Sequence, residues 1–426
     1  MKMKNIIMVS MIAILIIPTA CSPGVTDGMM TASGATLQSN HSRVKAPEVA
    51  SEDRAALSEG NGAFALDLYR QLQKTDGNLF YSPYSISAAL AMTYAGAAGT
   101  TAEQMADTLH FTLPQEGLHP AFNWLEGELA SRGKGEDEAF RLHVANAVWG
   151  QKDYQFKTAF LDTLAENYGA GLRIVNFGDP EESRETINDW ISEQTKERIS
   201  DLIAPSDITT DTRLVLTNAV YFKAAWKYKF LESETTDQPF YLLDGGNVTV
   251  PMMQQTMLFG YAEGEGEGYQ AVELPYEGDE LSMVVLLPEK GKFAAFENTL
   301  DYETVTSILD MLETRNTRLT MPKFGFTSDF NLKEMLSDLG MVAAFSSEDA
   351  DFSGMTDIEE LWLDDVVHKA FVSVDENGTE AAAATGAIAV ASMPGVVTID
   401  RPFIFLIRDI ETGTILFMGR VVNPVA

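Results

Sequence analysis

Residues 375 to 400 read Asp-Glu-Asn-Gly-Thr-Glu-Ala-Ala-Ala-Ala-Thr-Gly-Ala-Ile-Ala-Val-Ala-Ser-Met-Pro-Gly-Val-Val-Thr-Ile-Asp. From Ala381 to Ile399 the segment carries no charge, although 22% of the chain is charged. Most of its side chains are very small, so it is neither a solvated linker nor a heavy core strand. Read with the period of two that a strand imposes, Thr379, Ala381, Ala383, Thr385, Ala387, Ala389 and Ala391 fall on one face. Such a row of small, uncharged groups can slide between two existing strands without overpacking the core or stranding a charge in it. Gly378 and Gly386 give the backbone freedom at one end and partway along.

An Ala-rich helix is the competing reading, because Ala is the best helix former. Gly378, Gly386, Pro394, Gly395 and the β-branched Val390, Val396, Val397 and Thr398 oppose it. Permanent structureless exposure is a third reading, but an uncharged segment left exposed invites aggregation. The sharper expectation is a loop that is exposed in one state and a buried strand in another.

Immediately upstream, Val366-Val367-His368-Lys369-Ala370-Phe371-Val372 reads as a strand that leads into the segment. The run Val374-Asp375-Glu376-Asn377-Gly378-Thr379-Glu380-Ala381-Ala382-Ala383-Ala384-Thr385 resembles the reactive-loop hinge of inhibitory serpins, the serine protease inhibitors. Downstream, Arg401-Pro402-Phe403-Ile404-Phe405-Leu406-Ile407-Arg408 and Leu416-Phe417-Met418-Gly419-Arg420-Val421-Val422-Asn423-Pro424 look like the family's closing strands. The resemblance extends over nearly all of residues 53–426, with several separate motifs in family order.

The resemblance implies an α+β serpin fold with three β-sheets, about eight or nine helices and an exposed reactive-centre loop at about 376–400. It implies an irreversible suicide-substrate inhibitor of serine proteases, not an enzyme, with no cofactor, catalytic residue or metal site. The hinge maps onto Glu376, Gly378, Thr379, Glu380, Ala381, Ala382, Ala383, Ala384 and Thr385. Asn377 departs from it, since the family often has a charged residue there. Counting along the family's spacing puts the cut bond at Ser392–Met393. One residue is missing between the hinge and Pro402, which keeps Ala391–Ser392 open as the alternative. Proline after the cut bond hinders attack, which disfavours Met393–Pro394. With Val390 upstream, either site suits the shallow or apolar primary pockets of elastase-like or subtilisin-like enzymes rather than trypsin-like ones.

By the same resemblance, Ser82, Ser85, Asn218 and His368 match the family's buried hydrogen-bonded shutter, and Trp226, Lys323 and Glu376 its breach at the top of the main sheet. A Glu376–Lys323 ion pair is expected. The alternative function is a non-inhibitory serpin acting as a binding or chaperone protein. Such members tend to carry bulky or charged hinge residues, whereas this hinge is small throughout.

Earlier in the chain, Phe64, Leu68 and Leu72 recur at helical spacing. Ser82-Pro83 is a helix start, and the helix that follows is apolar nearly all round, as a central one would be. Thr101 to Gln104 offers a capping box. Residues 141–149 read as a strand, 156–168 as a helix, 171–177 as a strand, and Asp179-Pro180 opens a helix to about Lys196. Leu214–Trp226 is the strongest central strand, and the apolar Leu281–Leu287 reads as a strand buried on both faces. Arg318–Phe326 reads as one more strand and Leu332–Leu339 as a helix. No internal repeat and no composition break follows residue 53, so one mixed domain is expected.

A net charge of −32 with no basic cluster argues against nucleic acid and heparin-like polyanions as partners. The five histidines are scattered, with none in a His-Glu-x-x-His pattern. There is no Gly-x-Ser-x-Gly elbow. One cysteine, Cys21, excludes an intrachain disulfide. Residues 1–20 read as a signal peptide, with Lys2 and Lys4 before the short apolar run Ile6–Ile17. Pro18-Thr19-Ala20-Cys21 resembles a bacterial lipoprotein cleavage box with Cys21 lipidated, although Pro18 replaces the usual Leu. An ordinary signal peptide with an incidental cysteine is the alternative. Residues 21–52, rich in Ser, Thr, Gly, Ala and Pro, read as a flexible tether before the domain at 53–426. These features predict an exported monomer, in the cell envelope or outside it, that meets the membrane only through a lipid anchor.

Overall fold

The computed structural model describes residues 34–132, 140–264, 266, 268–358, 361–379 and 393–425. The chain opens on β1 (Thr36–Leu37), α1 (Ser51–Leu72), β2 (Leu79–Tyr81), α2 (Pro83–Tyr94), α3 (Gly99–Leu109) and α4 (Gln115–Leu129). It continues through β3 (Phe140–Gln151), α5 (Thr158–Thr163), β4 (Leu172–Val175), α6 (Pro180–Gln194), β5 (Leu214–Ala225), β6 (Thr236–Tyr241), β7 (Asn247–Gly264), β8 (Tyr269–Pro275) and β9 (Leu281–Pro288). Then come α7 (Phe293–Glu297), α8 (Tyr302–Asp310), β10 (Glu313–Pro322), β11 (Phe324–Asn331) and α9 (Lys333–Asp338). The last strands are β12 (Asp365–Asp375), β13 (Gly378–Thr379), β14 (Gly395–Thr398), β15 (Phe403–Asp409) and β16 (Ile415–Val421).

Two hydrogen-bonded sheets result. The first has seven strands in the order β1-β4-β3-β5-β13-β12-β11. The second has nine, in the order β14-β10-β7-β8-β9-β15-β16-β2 with β6 also on β7. Long β7 joins its two wings: it pairs β6 and β10 along most of its length and meets β8 only at Gly260–Gly264. Counted as wings, the second sheet supplies two of the three sheets expected, and the fold is α+β with nine α-helices among the described residues.

Helix α2 holds the layers together. The Ser85 N–H donates to the Ser82 hydroxyl at 3.2 Å and Pro83 occupies the first turn. Every residue of α2 is buried, because it packs on β3 and β5 of one sheet and β16 of the other. Strand β9 is buried end to end, as its apolar run requires. On the far face of the seven-stranded sheet, α6 lays Ile187 and Ile191 against Trp149, Phe177 and Val215.

Three expectations change. Arg318–Phe326 is not one strand: the chain leaves the second sheet at Pro322 and enters the first at Phe324. At the corner, the Lys323 N–H turns away to donate to the Pro251 carbonyl at 3.0 Å. The capping box goes unused. Helix α3 starts earlier, at Gly99. The Thr101 hydroxyl accepts the Asp351 N–H at 2.9 Å, and Gln104 accepts the Val342 and Ala343 N–H groups at 3.0 and 2.7 Å.

The third change is at the N-terminus, where residues 34–50 dock on the domain instead of forming free tether. Strand β1 pairs antiparallel with the outer edge of β4. Arg43 donates to Asn123 Oδ1 at 2.8 Å and forks onto both Glu126 oxygens at 3.0 and 2.9 Å. His41 Nδ1 lies 2.6 Å from Glu166. Linker-like composition concealed polar partners that only the folded chain brings within reach.

Candidate functional site

Strands β5 and β12 form the middle of the seven-stranded sheet. They run parallel and pair directly from Val215–Asp365 up to Tyr221–Phe371. Above that point β13 lies between them. Gly378 and Thr379 pair antiparallel with Ala225 and Ala224 on one side, and with Asp375 and Val374 on the other. The sheet thus has a slot one strand wide, with hinge residues Gly378 and Thr379 seated in its mouth. Thr379 is fully buried and its hydroxyl lies 2.8 Å from that of Tyr276. Gly378 has φ +147°, and a Cβ there would stand 2.2 Å from the Ala224 carbonyl oxygen, so only glycine fits.

The turn that delivers the hinge is fastened on three sides. The Trp226 N–H donates to the Asn377 carbonyl at 2.9 Å and its indole N–H to the Asp375 carbonyl at 3.0 Å. The same indole stacks on Tyr276, 4.6 Å between ring centres and 7° from parallel. The Phe230 N–H donates to the Glu376 carbonyl at 2.9 Å. The Glu376 carboxylate receives Lys323 at 2.7 Å and the Thr235 hydroxyl at 2.8 Å. Burial would raise the Glu376 pKa, but the bonds from Lys323, its own N–H and Thr235 outweigh that and hold it below the ordinary value.

Lower in the sheet, Asn146, Asn218 and His368 are register neighbours across β3, β5 and β12. Above them sits the start of α2. The Ser82 N–H donates to His368 Nε2 at 3.3 Å. An amide can only donate, so Nε2 carries no proton and Nδ1–H donates to Asn218 Oδ1 at 2.5 Å. The Asn218 amide in turn donates to the Ser85 hydroxyl at 2.5 Å and to Asn146 Oδ1. The Ser82 hydroxyl donates to the Leu416 carbonyl at 2.7 Å, tying the network to the second sheet. Complete burial lowers the His368 pKa to about 3, so the ring is neutral.

The structure thus gathers Ser82, Ser85, Asn218 and His368 into one network, and Trp226, Lys323 and Glu376 around the hinge turn. It adds Asn146, Thr235 and Tyr276, which sequence reasoning missed. Asn146 lies within the stretch 141–149 that the sequence marks only as a strand, and its register against Asn218 is what reveals it. Hinge residues Glu380, Ala381, Ala382, Ala383, Ala384 and Thr385, together with Ala391, Ser392 and Cys21, lie outside the described residues. Met393 is 98% exposed, just before β14, the edge strand on β10.

The central sheet is thus parted between two parallel strands and entered there by the start of a third. The family model of serpins (serine protease inhibitors) matches residues 59–424, and the chain belongs to the serpin family. An uncharacterized serpin-like protein of Thermococcus kodakarensis is 42% identical over 369 residues, covering 85% of this chain and 84% of its own. Human leukocyte elastase inhibitor is 40% identical over 384 residues, covering 86% of this chain and 99% of its own. Among solved structures, uncleaved ovalbumin superposes with a TM-score of 0.79 at 28% identity, covering 87% of this chain and 100% of its own. Human thyroxine-binding globulin gives 0.80 at 30%, covering 87% and 99%.

Proposed function

We propose that the protein is an irreversible suicide-substrate inhibitor of elastase-like or subtilisin-like serine proteases. The protease serine attacks the Ser392 carbonyl carbon. The bond to the Met393 nitrogen breaks, that nitrogen leaves with a proton, and an acyl-enzyme remains. The freed segment then enters the slot and carries the tethered enzyme with it before deacylation.

The register of the slot carries this reading. Thr379 pairs with Ala224 and Val374, so each further residue steps back by one on both strands. Ala382 then meets Tyr221 and Phe371, where direct β5–β12 pairing begins, and Ile388 meets Val215 and Asp365, where it ends. Thr385 arrives between Asn218 and His368 on the face that Thr379 shares, where its hydroxyl can replace the bond that it splits. Ala381, Ala383 and Ala387 fall on that same buried face, and Glu380 on the other. One weaker parallel ladder is exchanged for two antiparallel ones, with apolar burial adding about 25 cal/mol per Å².

Incubation with elastase or subtilisin followed by a denaturing gel tests the proposal. A band at the summed mass is expected. A clipped chain alone would support a non-inhibitory binding or chaperone role. We also infer export, which the leader at residues 1–20 supports. Palmitate labelling that Cys21→Ser abolishes is the expected sign of a lipid anchor.

A further inference from the structure

The outer face of the wing formed by β7, β10 and β14 is apolar and cationic beside the bond that the protease cuts. Val396 pairs with Arg318, and Arg318 with Thr256. Period-two alternation puts Leu258 on the same face. Val396 is 61% and Leu258 40% exposed, and Arg318 is exposed. Among the described residues the Arg318 guanidinium has no ion pair or hydrogen bond. Arg315 is also exposed; its stem runs 3.8 Å from where a Cβ on Gly395 would lie, and its guanidinium sits 4.6 Å above the Tyr261 ring. In a chain of net charge −32, Arg318 thus stands on the outer face beside the strand that follows the cut bond, while period-two alternation puts Arg315 on the opposite face with Tyr261.

Distance puts this face within reach of a captured enzyme. Only Met393, Pro394 and Gly395 separate the cut bond from Val396, and each residue spans at most about 3.6 Å. The reach is therefore about 14 Å, whereas a protease of about 200 residues has a radius of gyration of about 16 Å. An enzyme seated on Ser392–Met393 is therefore within reach of β14 and β10.

We propose that Arg318, with Val396 and Leu258, forms a second contact surface for the protease and selects enzymes whose active-site rim carries carboxylates. This rests on the inhibitor reading above. An arginine that meets a carboxylate at the rim accelerates encounter more than it tightens the final complex, and the gain fades with salt.

The test measures the association rate constant with whichever of elastase and subtilisin reacts faster with the unaltered protein. Arg318→Glu is expected to slow capture roughly five- to tenfold at low salt and much less at high salt. Arg318→Gln should fall between, and the stoichiometry of inhibition should not change. Lys74→Glu makes the same charge change at the end of α1 and should alter the rate less than about twofold. Arg318→Glu behaving like Lys74→Glu, or slowing capture equally at all salt concentrations, overturns the contact surface while leaving the inhibitor intact. Absence of any covalent band with the unaltered protein overturns both.

Discussion

The Glu376 carboxylate lies 2.7 Å from the Lys323 ammonium, with its own side chain 6% exposed and that of Lys323 37% exposed. Removing the lysine therefore strands a charge that water barely reaches, although Thr235 still donates to it. Lys323→Ala should cost about 1–3 kcal/mol, measured by urea unfolding. The Glu376 pKa is depressed in the folded state. Its contribution is thus present above the unfolded value near 4.3 and fades as pH falls below it. Glu376→Gln should flatten that acid limb. An unchanged midpoint in Lys323→Ala would mean that the pair does not hold the hinge turn.

His368 titrates in a higher window. Its pKa is about 3 in the folded chain, against about 6.5 unfolded. The unfolded chain binds the proton first, so stability is complete above pH 6.5 and declines as pH falls. By pH 5 the loss should reach about 2 kcal/mol. Thermal melts between pH 7.5 and 5 read this directly. His368→Gln should start less stable and lose less over the same range.

Gly378 tolerates no side chain, because β5 backbone closes on it. Gly378→Ala must either strain the backbone or unseat β13, at about 1–3 kcal/mol. Urea unfolding should show the lower stability, and limited proteolysis should show faster cutting after Glu376. Equal stability would place the hinge outside the sheet in solution.

A charge on the face that insertion buries should separate cleavage from trapping. Ala383→Arg is expected to leave cleavage intact while raising the stoichiometry of inhibition more than tenfold, because burying an unpaired guanidinium opposes insertion. The released C-terminal peptide should begin at Met393. A start at Ser392 would shift the cut by one residue, and trapping as efficient as in the parent protein would sink the insertion register.

Arg43 fastens residues 34–50 to α4. Its own exposure and that of Glu126 keep the ion pair weak, but Asn123 is buried and would lose a donor. Arg43→Ala should cost about 1–2 kcal/mol. Protease digestion should cut this segment sooner than in the unaltered protein. A segment that stays equally protected would mean that β1 alone secures it.

Much of the architecture was legible where one residue type has one physical use. Ser82-Pro83 can only open a helix well, and the unbroken apolar run at Leu281–Leu287 can only be buried. Features that arise from juxtaposition were not legible. Asn146 joins the His368 network through register, Tyr276 meets Thr379 across 103 positions of sequence, and Thr235 reaches Glu376 from a short turn. The corner at Lys323 and the docking of Arg43 depend in the same way on which strands and helices end up adjacent. Local periodicity carries no information about such neighbours.

Trp226 gives the molecule a built-in optical gauge. Its ring stacks on Tyr276 at the edge of the core and bonds to the carbonyl of Asp375, so its electronic surroundings include the turn that bears the hinge. The proposed passage of the hinge into the sheet would alter those surroundings. Emission wavelength and near-ultraviolet dichroism can therefore follow the event in real time, with no dye attached to the moving segment.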